Sequence, residues 1–107
     1  IGTNFQTGHH VMIREENSIG DNVSLGTGTV IEHHVKIASG VRIHSQVFIP
    51  EYSELQQGVW IGPNVVVTNA RYPNTPATKD NLEGVILEAG SIIGANSTLL
   101  PGVRVGE

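Results

Sequence analysis

A chain of 107 residues makes one domain, and with 38% hydrophobic but only 5% aromatic residues it cannot be organised around the bulky core of an ordinary globular fold. A net charge of −4 argues against nucleic acid, which requires a basic face, and the absence of cysteine excludes disulfides and thiolate-bound metal and favours the cytoplasm. No apolar run approaches the length of a membrane span and no signal-peptide pattern opens the chain, so a soluble protein with no membrane partner is expected.

The first residue is Ile1 rather than Met, and Glu107 falls within a repeating pattern, so residues 1–107 are expected to be a single repeat domain cut from a slightly longer chain. That pattern has a period of six. From Ile1 every sixth residue is Thr7, Ile13, Ile19, Leu25, Ile31, Ile37, Ile43, Ile49, Leu55, Ile61 and Val67, aliphatic everywhere except Thr7. Two places earlier runs a softer column, Phe5, Val11, Val23, Val35, Val41, Val47, Val59 and Val65, with Asn17, Thr29 and Ser53 as its polar members. One place earlier still lie Asn4, His10, Glu16, Asn22, Gly28, His34, Gly40, Gln46, Tyr52, Gly58 and Asn64, many of them types that tolerate a left-handed backbone.

A period of six would carry apolar residues around the whole circumference of a helix, so helix is excluded. Short strands ended by tight turns satisfy it. Three hexads then make one triangular coil of about eighteen residues, and coils stack at the ordinary strand spacing as a parallel β-helix whose narrow interior needs only small branched side chains.

The rhythm stops after Asn69. It resumes shifted, with Leu87, Ile93, Leu99 and Val105 as the aliphatic column, Val85, Ser91, Ser97 and Val103 before them, and Gly84, Gly90, Asn96 and Gly102 expected at the turns. Fourteen residues have therefore been inserted between Val67 and Leu87, in a stretch with Pro73, Asn74, Pro76, Lys79 and Asn81 and almost no apolar residues. It reads as one loop, about residues 70–84, protruding from the prism. Stacking at eighteen residues places His33, Glu51 and Asn69 on one outward line beneath that loop. Imidazole, carboxylate and carboxamide together can do acid–base and hydrogen-bonding work, although outward columns are ordinarily polar in any case.

The stretch from Asn17 to His44, followed by Val59 to Pro73, resembles the hexapeptide-repeat acyltransferases, and most of all bacterial N-acetyltransferases that acylate nucleotide-linked amino sugars for surface polysaccharides. The more specific part is the Gly62, Pro63, Thr68, Asn69 run with the loop directly after it; where the relatives continue Asn-Pro-Arg, this chain has Arg71, Tyr72, Pro73 and Asn74. The resemblance implies a left-handed coil, against the general crossover rule. It also implies a cytoplasmic homotrimer with sites in the grooves between prisms, acetyl-CoA as acyl donor, no metal, and Asn69 beside the reacting amine.

For that chemistry the amine must be neutral, aligned and close to the thioester. Asn69 Oδ1 can accept a hydrogen bond from it; Glu51, His33 or the departing thiolate takes the surplus proton, and a backbone N–H near the turn stabilises the oxyanion. Arg71, Tyr72 and His44 are the candidate substrate-binding residues, His44 being the one large side chain on a strip with Gly8, Gly26 and Gly62. Gly94 and Ala95, small enough for the pantetheine arm to lie close, and Arg104, the cation available for its phosphates, are the candidate cofactor-binding residues. Trp60 is expected either to stack on Arg42 or to form a subunit contact. Two other functions fit the prism: a non-catalytic scaffold, and a γ-carbonic-anhydrase-like zinc enzyme, although His9, His10, His33, His34 and His44 offer no pair five residues apart.

Overall fold

A computed structural model describes residues 1–71, 73–74 and 82–106. Tyr72 and the loop segment 75–81 lie outside the described residues. Among those described, all regular structure is strand: fifteen two-residue strands in three five-stranded parallel sheets, with no helix.

Each turn of the chain contributes one strand to each sheet. Face one holds Gln6–Thr7, Ser24–Leu25, Arg42–Ile43, Trp60–Ile61 and Ile92–Ile93. Face two holds Met12–Ile13, Val30–Ile31, Phe48–Ile49, Val66–Val67 and Thr98–Leu99, and face three Ser18–Ile19, Lys36–Ile37, Glu54–Leu55, Ile86–Leu87 and Arg104–Val105. The product is a three-sided β-solenoid of five turns. Partners are eighteen residues apart below the insertion, as in Val30 opposite Phe48. Across it they are thirty-two apart, as in Val67 opposite Leu99, and above it eighteen again, as in Ile86 opposite Arg104, so the fourteen extra residues leave the stack in register.

In each strand the second residue points inward. Ile31, Ile49, Leu55, Ile61 and Leu87 are fully buried, and the column two places before them, mostly valine, closes the corners from inside. Each such aliphatic side chain contributes about 1.5–3 kcal/mol by leaving water. At the ends of the prism Phe5, Val11, Ile13, Leu99, Val103 and Val105 are only partly covered. The polar members of the inner column are used locally. Thr29 Oγ1 donates to the His44 carbonyl at 2.8 Å, Ser53 Oγ to the Pro50 carbonyl at 2.9 Å, and Asn17 Oδ1 accepts the Val35 N–H at 2.8 Å.

The corners turn through left-handed residues. All eleven members of the column from Asn4 to Asn64 have positive φ, the non-glycines among them between 56° and 68°. Gly90, Asn96 and Gly102 continue the series. Gly84 departs from expectation. Its φ is outside the left-handed region, and it is glycine because it lies against the corner below, where a Cβ would run into the carbonyl of Tyr52.

Gly84→Ala is therefore expected to lower unfolding free energy by about 1–3 kcal/mol, as overpacking against backbone does. Gly94, around which a Cβ would meet nothing within 4 Å, gives the control: Gly94→Ala stays within about 0.5 kcal/mol of the parent in urea melts.

Candidate functional site

The corner between faces two and three carries the polar line. After each inward aliphatic of face two the chain runs two residues outward and reverses through a left-handed residue: Glu16, His34 and Tyr52 on successive turns. The residue before each of these projects from the edge. Glu15, His33, Glu51 and Asn69 thus stack into one ladder, and the insertion departs from its top rung. The Glu83 N–H donates to the Asn69 carbonyl at 2.7 Å, so the insertion leaves and re-enters the prism at one point.

The structure brings together His33, Glu51 and Asn69 as the spacing requires. Asn69 Nδ2 donates to the Glu51 carbonyl at 3.1 Å and lies 3.5 Å from Glu51 Oε1. Glu51 Oε2 stands 3.7 Å from His33 Nε2, with both side chains about a quarter exposed. Because Nδ2 is committed to a backbone carbonyl, the Asn69 amide is oriented: among the described residues Oδ1 has no partner and is left as a free acceptor.

Sequence reasoning missed the adjacent column. His34 Nδ1 lies 2.6 Å from His33 Nδ1, and His34 Nε2 lies 2.6 Å from Glu16 Oε2. The Tyr52 ring stacks on His34 with centroids 5.5 Å apart and planes 29° apart. The sequence reading places them at left-handed turns, although the same eighteen-residue stacking brings 16, 34 and 52 into line. Arg14 closes the bottom of the ladder, paired with Glu32 at 3.0 Å and Glu15 at 3.3 Å. The Glu15 carboxyl is held below the ordinary carboxylate value by its own backbone N–H first, then by Arg14, with a further contribution from His33 above it.

The other candidates lie elsewhere or are already engaged. His44 is exposed on the corner between faces one and two and packs on Trp60, ring centroids 4.8 Å apart. Trp60 is in register with Arg42, but its packing partner is that imidazole. Gly94 and Ala95 continue the His44 and Gly62 strip, exposed and open. Arg71 is tied to Glu83, Nε to Oε2 at 3.0 Å, so it closes the root of the insertion. Arg104, on face three, is paired with Glu88. Tyr72 is outside the described residues.

Residues 18–51 match the family described as bacterial transferase hexapeptide (six repeats). These residues include His33, His34 and Glu51 of the corner. No curated protein matches the chain at a significant level. Among solved structures, a single-site mutant of AntD, an N-acyltransferase from Bacillus cereus in complex with dTDP and coenzyme A, is similar at 26% identity with a TM-score of 0.49. The alignment covers 95% of this chain and 67% of that one.

Two further surface features stand out among the described residues. Face three bears a groove of about 480 Å³ lined by Ser18, Lys36, Ala38, Glu54 and Gln56 among others, and none of the expected site residues is in it. Face two carries an outward apolar column of Met12, Val30, Phe48 and Val66, with Met12 46% and Val66 41% exposed, and Leu100 beside it. The His44 and Gly94 strip flanks this column on one side and the Asn69 corner flanks it on the other.

Asn69 is half-buried and holds the corner below it. Asn69→Ala is accordingly expected to cost about 0.5–1.5 kcal/mol, the net worth of one lost hydrogen bond, by chemical denaturation.

Proposed function

We propose that this chain is an acyl-CoA-dependent transferase that acetylates the amino group of a nucleotide-linked amino sugar, acting in the cytoplasm as a homotrimer. The observation that carries the reading is the oriented Asn69 amide at the root of the insertion, above Glu51 and His33, in a chain of transferase hexapeptide repeats.

The chemistry follows from that orientation. Asn69 Oδ1 accepts a hydrogen bond from the acceptor amine and aims its lone pair at the thioester carbonyl; holding the two reactants in line supplies several kcal/mol of the barrier. The amine nitrogen bonds to the acyl carbon, the C–S bond breaks, and CoA leaves as thiolate. The surplus proton on nitrogen passes to the His33–Glu51 pair or to the thiolate. For the donor, the Gly94 and Ala95 strip fits a thin extended arm, since nothing lies within 4 Å of a Cβ at Gly94. Arg104 is held by Glu88 and does not stand ready for phosphates.

The donor strip and the Asn69 corner lie on opposite flanks of face two, so one chain does not bring them together. Burying Met12, Val30, Phe48 and Val66 against another copy would set the corner of one prism beside the strip of the next. That arrangement supports the trimer. Phe48→Glu is expected to convert the assembly seen by light scattering to monomer and to abolish turnover, without loss of the fold.

Acetyl-CoA is expected to raise Tm, as any ligand selective for the folded state does. No shift at about millimolar donor, some hundred times the Kd for which a rise of several degrees follows, counts against the transferase and for a scaffold. With the acceptor found from a panel of nucleotide amino sugars, Asn69→Ala is expected to lower kcat by about one to three orders of magnitude. Full activity in that variant removes Asn69 from the mechanism. Glu51→Gln and His33→Ala assign the base: a large loss in only one names it, and small losses in both leave the proton to the thiolate.

A further inference from the structure

The distances around His33 and His34 determine which nitrogen of each ring carries a proton. Two facing Nδ1 atoms at 2.6 Å share one hydrogen, so one ring donates and the other accepts. Each ring also turns its Nε2 toward a carboxylate. His34 Nε2 is 2.6 Å from Glu16 Oε2, a true hydrogen bond, whereas His33 Nε2 is 3.7 Å from Glu51 Oε2, beyond hydrogen-bond reach. A carboxylate accepts only, so the Nε2–H belongs to His34. With both rings neutral, the His34 Nδ1 is then the bare acceptor, His33 supplies Nδ1–H, and His33 Nε2 is left unprotonated on the side facing Glu51 and Asn69.

We infer that Glu16 and His34 are positioning residues that fix His33 as the Nδ1–H tautomer, making its Nε2 the atom that receives the proton of the acylated amine; this rests on the acyltransfer reading. The imidazolium so formed faces the carboxylate of Glu51 above and Glu15 below, with Arg14 held away in its pairs with Glu15 and Glu32. One proton arrives at Nε2 and one positive charge is stabilised; the His33 Nδ1–H bond to His34 strengthens as it forms. Tyr52, stacked on His34, keeps that ring in the plane in which its Nδ1 meets His33. The corner backbone fits the arrangement as well. His34 has φ 57°, a conformation that asparagine also tolerates, so its donor–acceptor role can be replaced without changing the turn.

Substitution at His34 separates the inference from the reading beneath it. Nitrogen-15 spectra of the histidine-labelled full chain at neutral pH, with His33 assigned from the signal lost in His33→Gln, are expected to show His33 as Nδ1–H. In His34→Asn the side-chain oxygen replaces the Nδ1 acceptor and the tautomer stays. In His34→Phe, which keeps an aromatic ring under Tyr52 but removes the acceptor, His33 changes to Nε2–H. Turnover is expected to follow the tautomer, with kcat down about ten- to a hundredfold and KM unchanged in His34→Phe, and restored in His34→Asn. Nε2–H on His33 in the native chain overturns the inference, and so does a changed tautomer with unchanged kcat. Neither result touches the acyltransfer reading, which stands or falls on the acetyl-CoA shift.

Discussion

The parallel backbone ladder between successive turns sets nearly everything else in the molecule. Each strand of two residues is too short to hold a sheet alone, and it persists because identical strands lie above and below it in register. Keeping that register requires every turn to have the same length, and equal turns require a sharp corner every six residues. The corner is obtained by forcing one residue into the left-handed region, at roughly 1–2 kcal/mol for a residue with a side chain. Nine non-glycine corner residues among those described accept this, and the buried aliphatic column on the inside offsets it.

A consequence of equal turns is that side chains form vertical lines, and a functional site can be built by selecting one line. The corner with Glu15, His33, Glu51 and Asn69, the candidate site, is such a line. Each rung is placed by the same backbone geometry, so the spacing between rungs is set by strand separation rather than by loop conformation. Precision of this kind ordinarily requires a site buried among rigid elements. Here a partly exposed edge has it, because the edge is itself repeated backbone. The insertion then leaves the prism at the rung where the line ends, and Gly84 resumes the stack by lying flat against Tyr52.

Register is what the sequence makes legible. The period of six located the inward columns, the left-handed corners from Asn4 to Asn64, the fourteen-residue insertion and the alignment of His33 with Glu51 and Asn69. Side-chain reach is what it leaves hidden. Trp60 stacks in register with Arg42, yet its ring packs on His44, one column over. Arg104 pairs with Glu88 and Arg71 with Glu83, partners sixteen and twelve residues away rather than eighteen, because long side chains bend across columns to find charge. The same blindness hid the contact between His33 and His34: neighbours in sequence at a corner point in directions that depend on the sign of φ, and the period says nothing about rotamers.

The two histidines also show why a turn residue can acquire chemistry in this architecture. Left-handed corners favour Gly and Asn, and a side chain with a ring is tolerated there only at a cost, so the rings at His34 and Tyr52 on successive turns are not what corner geometry alone selects. What they add is contact along the column: the rings stack on each other, and the His34 imidazole bridges sideways to His33 and down to Glu16. A glycine at either corner would keep the turn and lose that connection. The placement of polar and aromatic side chains at strained positions, beside a ladder that backbone geometry already aligns, is the point at which this fold departs from what its own stability requires, and the proposed function starts from that departure.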